Sequence, residues 1–172
     1  QKTEEYLEDI KPVIKEKQEF FRSLAKRFYP KNASGITVYP NEGENQQRYT
    51  IEAKIESDNS DGINNVKIFC YDMTMLFKGH GHNVKFSFHD SRLSDGIDEK
   101  HKAEIFKVVN ELFNGTDYQY IATVNQNQLN EVKSILTEQE YEEIIEQNTI
   151  LTLTDEDDSE KLLGVKVDVG YE

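Results

Sequence analysis

The sequence predicts an α/β domain built on a mixed sheet, and three observations carry that prediction. Val84, Phe86 and Phe88 alternate with Lys85, Ser87 and His89, the period of a strand. That strand runs into Asp90, a loop with turn chemistry at Asp95-Gly96, and then a helical pattern in which Ile105, Phe106, Val109, Leu112 and Phe113 share one face. Residues 118–124 read as a second strand, and strand–helix–strand order implies a parallel, right-handed crossover. Secondly, a short strand at Ile36 to Tyr39 is followed by Tyr49, Ile51, Ala53 and Ile55 alternating with Thr50, Glu52, Lys54 and Glu56, which predicts a β-hairpin with one buried face. Thirdly, Val66, Phe69, Cys70, Met73, Leu76 and Phe77 form the stripe of a helix over residues 63–77.

Composition narrows the function classes. At 172 residues the chain suits one domain with a real core, and 36% hydrophobic with 31% charged residues describes a soluble, very polar protein. No apolar run is long enough to span a bilayer, and the start has no signal-peptide pattern. A formal net charge of -13 argues against nucleic-acid binding by counterion release, so any DNA contact is expected from another domain or chain. The single cysteine, Cys70, cannot form an internal disulfide; it reads as a small core residue in a reducing cytoplasm. The chain begins with Gln and not Met, and is read as a fragment of something longer.

Taken in order, residues 1–29 form a helical segment and residues 30–172 the main domain. Leu7, Ile10, Ile14, Phe21, Leu24 and Phe28 recur in steps of three and four, with Lys17 as the polar break, and Pro12 either starts this helix or kinks a longer one. The pattern suits an amphipathic helix lying on the domain or the last turns of a coiled-coil arm. Tyr29-Pro30 stops it. Ser60, Asp61 and Gly62 precede the next helix: Ser60 or Asp61 can cap it, and a Ser and Gly at a helix N-terminus can also bind a phosphate. His80, His82, His89 and Asp90 raise a metal site, but His80 and His82 are flanked by glycines and the His89-Asp90 pair lies on a strand. Asp98 can cap the helix that follows, and Asn114-Gly115 can stop it. Asn125, beyond the second parallel strand, is either a polar group beside Asp90 or a turn residue before Gln126-Asn127. Thr137-Glu-Gln-Glu140 is a capping box opening a helix over residues 137–147. Thr149 to Leu153, and Val165, Val167 and Val169, predict two more strands, separated by the acidic run Asp155-Glu-Asp-Asp158, a solvated loop or a weak divalent-cation site.

A carboxylate at the carboxyl end of a strand is where open α/β sheets place ligands, although turns also favour Asp there. The stretch His89-Asp90-Ser91 with Asp95-Gly-Ile-Asp98 resembles the Walker B strand and D-loop of ABC-type ATPases of the coiled-coil branch that includes the SMC and DNA-repair ATPases. It is most similar to a bacterial family of uncharacterised function whose C-terminal domains carry a His-Asp-Ser, Asp-Gly-Ile-Asp pattern. The resemblance covers most of the chain and implies the C-terminal lobe of an ATPase head. Asp90 would then hold Mg²⁺ through its water shell beside the phosphates of ATP, and Ser60 and Gly62 would belong to the signature loop that reaches a partner's nucleotide. Asn125 would occupy the place of the switch histidine. Three residues depart from the pattern. Asp61 interrupts the Ser-Gly-Gly loop, Asn125 cannot carry a proton, and Ser91 replaces the glutamate that positions the attacking water.

No Gly-x-x-x-x-Gly-Lys-Ser/Thr segment occurs in the chain, so nothing here cradles the α- and β-phosphates. The expectation is therefore that Asp90, Ser91 and Asp98 support Mg-ATP chemistry only beside a Walker A lobe of the same longer protein, in a head that dimerises. Hydrolysis would be slow, or would borrow a carboxylate such as Asp95, Asp98 or Glu99. The resemblance places such a protein in cytoplasmic DNA maintenance or defence. The alternative is a non-catalytic protein-interaction module on the same fold, in which Asp90 and Asn125 are structural.

Overall fold

A computed structural model describes residues 2–41 and 49–154. The predicted strands at Val165–Val169 and the acidic run at Asp155–Asp158 lie outside the described residues. The chain divides into two compact units, residues 1–135 and 136–172. In chain order the first unit contains α1 (Lys2–Asp9), α2 (Lys11–Phe28), β1 (Ser34–Pro40), β2 (Tyr49–Ile55), α3 (Asp61–Lys78), β3 (Phe86–His89), α4 (Glu99–Phe113), β4 (Gln119–Ala122) and α5 (Gln126–Ile135). A 3-10 turn at Ser91–Ser94 follows β3 directly.

The N-terminal helical pattern is broken once, at Ile10, and Pro12 lies in the first turn of α2. Proline is tolerated there because the first-turn amides have no intrahelical acceptor. The second half of α2 supplies Phe21, Leu24, Ala25 and Phe28 to the core. They meet Val66, Phe69, Cys70 and Met73 of α3, Ile36 and Ile55 of the hairpin, and Ile105 and Val108 of α4. Cys70 is fully buried, and burial pushes its thiol pKa up, so it packs as a small apolar group. Each large apolar side chain buried here contributes about 1.5–3 kcal/mol. Arg27 adds a cross-link on the surface, forking onto Glu104 and Glu111 of α4.

β1 and β2 pair antiparallel, with Ile36 opposite Ala53 and Ser34 opposite Ile55, as the alternation predicts. β3 and β4 pair in parallel, Phe86 with Gln119 through His89 with Ala122, with α4 as the crossover. Among the described residues the mixed α/β class is thus realised as two small sheets rather than one. In β3 the apolar residues are the outward ones: Phe86 and Phe88 are 55% and 52% exposed, and His89 is buried. Val84 and Ile121 are exposed with them.

The second unit holds α6 (Glu138–Ile144) and a 3-10 turn at Glu146–Asn148. The Thr137–Glu140 capping box forms as predicted, each side chain bonding the other residue's backbone amide. The strand predicted over Thr149–Leu153 is a difference: this segment has no ladder partner among the described residues, and Ile150 is 93% exposed. An alternating apolar segment becomes a strand only when a neighbouring edge supplies its hydrogen bonds. No helix among the described residues is long and apolar enough to cross a membrane.

Candidate functional site

The carboxyl ends of β3 and β4 lie side by side, and the sequence-predicted residues Asp90, Ser91 and Asn125 gather there. The Thr123 amide donates to the His89 carbonyl at 3.1 Å, extending the parallel ladder past the strands. Asp90 is exposed, and its Oδ1 accepts the Arg92 amide at 2.8 Å, capping the 3-10 turn. The Ser91 amide donates to Thr123 Oγ1 at 3.2 Å, so the two strand ends are stitched by a side chain as well.

Asn125 is the N-cap of α5. Its Oδ1 accepts the Gln128 amide at 3.0 Å, and Gln128 Oε1 accepts the Asn125 amide at 3.2 Å. Gln128 is buried, and its Nε2 donates to the Ser91 carbonyl at 2.9 Å. One glutamine therefore ties Asn125 to the residue after Asp90. The helix α5 was not expected from sequence, where Gln126-Asn127 reads as a turn. The signal was present: Asn125 and Gln128 have capping-box spacing.

A second pair of predicted loops also meets. Ser60 precedes α3 as its N-cap without a side-chain cap bond, and Gly62 is buried in the first turn. A Cβ at Gly62 would collide with the Gly96 carbonyl oxygen, so the glycine is required by close approach of the Asp95–Asp98 loop. Gly96 itself has φ +70°, a conformation glycine adopts without steric cost. Asn65 of α3 donates from Nδ2 to the Asp95 carbonyl at 2.8 Å, a contact between segments 30 residues apart that no local pattern signals. Ser60 and Gly62 are thus packed on the loop that contains Asp98, while Asp90, Ser91 and Asn125 form a cluster at the strand ends.

Asp98 caps α4: its Oδ1 accepts the His101 amide at 3.0 Å, and its Oδ2 faces His101 Nδ1 at 2.6 Å. Partial burial opposes ionisation of Asp98, but the His101 amide and ring outweigh it and hold the carboxyl below its ordinary range. The other ring nitrogen of His101 donates to the Phe28 carbonyl at 2.9 Å, fixing the end of α2 to the start of α4.

The histidines considered for a metal are dispersed onto separate tasks. His82 Nε2 donates to the Met75 carbonyl at the end of α3, and its Nδ1 accepts the Val84 amide. His80 is exposed. His89 points under the sheet, between Asp72 and Tyr120. Among the described residues no group of three or more His, Cys, Asp or Glu could hold a metal ion.

Residues 24–167 match a family described as an uncharacterised protein conserved in bacteria (DUF2326). The chain belongs to this family. The match spans the end of α2 from Leu24, both sheets, the Asp90 cluster and the Gly62–Gly96 contact, so the site features described above fall within the family's domain. No curated protein gives a significant match.

Proposed function

We propose that this DUF2326 domain is the Asp90-bearing half of a nucleotide-binding head, completed by a second lobe that covers the outer face of the β3–β4 sheet. The observation that carries the reading is a parallel sheet that, among the described residues, is covered on one face only. Parallel strands occur in sheets covered on both faces, because their crossovers put helices there and their side chains are apolar on both sides. Here α3 and α4 cover one face, and Val84, Phe86, Phe88 and Ile121 remain exposed on the other. The ligand end of that sheet, beyond the carboxyl ends of its strands, carries Asp90 and Asn125.

The resemblance supplies the identity of the missing lobe: a Walker A segment of the same longer protein, in an SMC-like, ABC-type head that dimerises around Mg-ATP. In such a head Asp90 would hold the Mg²⁺ water shell and Asn125 would bond a phosphate oxygen or water. Ser60 and Gly62 would face a partner's nucleotide, and Asp98 would sit in the loop between the subunits. Ser91 can orient a water but is a weak base near neutral pH, so turnover by this half is slow. DNA maintenance or defence is the setting the resemblance offers.

A specific observation favours a second reading, a non-catalytic interaction module. Asp90 and Asn125 each have a complete local role as caps, of the 3-10 turn and of α5. Substitution separates the two. In the complete protein, Asp90→Ala abolishes Mg-ATP binding if the head reading holds, with the fold retained by circular dichroism. Unchanged binding, or none in the parent protein, leaves the module.

A further inference from the structure

Beneath the sheet lies a polar cluster that neither capping nor the nucleotide reading uses. His89 is buried on the inner face of β3 between Phe69 and Tyr120, whose ring centroids lie 6.0 and 5.4 Å from the imidazole. His89 Nε2 is 2.9 Å from Asp72 Oδ2 on α3, and Nδ1 is 2.8 Å from the Tyr120 hydroxyl on β4. A carboxylate only accepts, so Nε2 carries the ring proton. Nδ1 then offers a lone pair, and the Tyr120 hydroxyl donates to it. Burial, and then the Asp72 charge, push the Tyr120 pKa up, which keeps the hydroxyl a donor. In the other neutral tautomer an unprotonated Nε2 would face the carboxylate.

We propose that His89 is a positioning residue: held between Asp72 and Tyr120 as the Nε2-protonated tautomer, it fixes the strand end that carries Asp90. An aliphatic side chain would fill this inward position at no hydrogen-bonding cost, whereas a buried imidazole is tolerated only when both nitrogens are satisfied. Satisfied networks of this kind select one arrangement of the elements they join. Two of the three elements joined lead into the Asp90 cluster, β3 to Asp90 and β4 to Asn125, and the third, α3, begins at Asp61 beside the Asp95–Asp98 loop. The backbone of His89 is tied in as well, through its carbonyl to the Thr123 amide. What Asp90 does once positioned rests on the nucleotide reading; the positioning itself does not.

The experiment uses the chain as it stands. Long-range ¹H–¹⁵N NMR of the His89 ring is expected to show one neutral tautomer with the proton on Nε2. In Asp72→Ala, the Arg92 and Thr123 amides, which report the Asp90 turn and the strand end, are expected to exchange at least tenfold faster relative to the Val108 amide of the core. Asp72→Asn, whose amide oxygen still accepts from Nε2, restores them. Should Asp72→Ala fail to fold, Tyr120→Phe makes the same comparison by removing the other partner. A proton on Nδ1, or equal acceleration at Val108 and Arg92, overturns the proposal. Nucleotide binding unaffected by Asp90→Ala, with His89 still in this tautomer, would instead refute the nucleotide reading and leave the positioning role standing.

Discussion

Replacing Gly62 by alanine tests the contact between the Ser60–Gly62 and Asp95–Asp98 loops. At an ordinary exposed helix position Gly→Ala stabilises by about 1 kcal/mol. Here the added methyl would lie on the Gly96 carbonyl, within contact range of the Ile97 Cα, and Ile97 is itself buried. Backbone has to move, and overpacking of this kind costs about 1–3 kcal/mol. The two effects oppose, and the collision is larger because both partners are backbone held by the Asn65–Asp95 bond. The expected net loss is roughly 1–2 kcal/mol, about 2–8 °C in Tm for a chain of this size. Gly35→Ala is the control, since a Cβ there meets nothing within 4 Å. Thermal unfolding followed by circular dichroism reads both. A Gly62→Ala protein that melts at or above the parent temperature would refute the packing of these loops.

Three further outcomes follow from the same geometry. Lys17 Nζ is buried with no hydrogen-bond partner among the described residues, and burial lowers its pKa, so Lys17→Met is expected to stabilise by about 1 kcal/mol near neutral pH. The unfolded chain binds more protons there than the fold, so that advantage shrinks as pH rises from the lowered folded pKa toward the ordinary lysine value of 10.5; denaturant melts of both proteins across that range check it. Asp98→Ala removes the α4 cap and is expected to cost about 1 kcal/mol in denaturant melts. Because the folded carboxyl pKa is lowered, its stabilisation is full above the unfolded value of 3.8 and is lost as pH falls through the folded one, so parent and variant converge in acid. Joint Phe86→Ser and Phe88→Ser substitution is expected to leave the Tm of this chain nearly unchanged, since both rings are half exposed, while reducing binding of an apolar dye. A Tm loss of the size seen for buried phenylalanines would count against the open sheet face.

How far the sequence reached depended on whether the deciding interaction was local. Caps and periods are local, and the Asp98 cap, the Thr137 box, the hairpin alternation and the α3 stripe were all legible from spacing. The parallel pairing of β3 and β4 followed from chirality once a helix was seen between them. Orientation was not legible: alternation shows that Phe86 and His89 lie on opposite faces of β3, but which face is buried is set by how α3 and α4 pack on it, a tertiary fact even though both flank β3 in the chain. Burial of His89 depends on Asp72 and Tyr120, each unremarkable in its own segment. Gln128 was missed because its capping spacing with Asn125 was masked by polar residues typical of turns. Gly62 shows in the sequence only as a glycine at a helix start, and its neighbour, the Gly96 backbone, is a tertiary fact. Thr149–Leu153 had the composition of a strand but no partner edge among the described residues to make it one.

Titration calorimetry of Mg-ATP into the 172-residue chain, alone and joined to the proposed Walker A lobe, tests the nucleotide-head proposal. The chain alone is expected to give no saturable heat, the joined protein to bind saturably, and Asp90→Ala to abolish that binding. Saturable binding by the chain alone, or binding by the joined protein that Asp90→Ala leaves intact, would contradict the proposal.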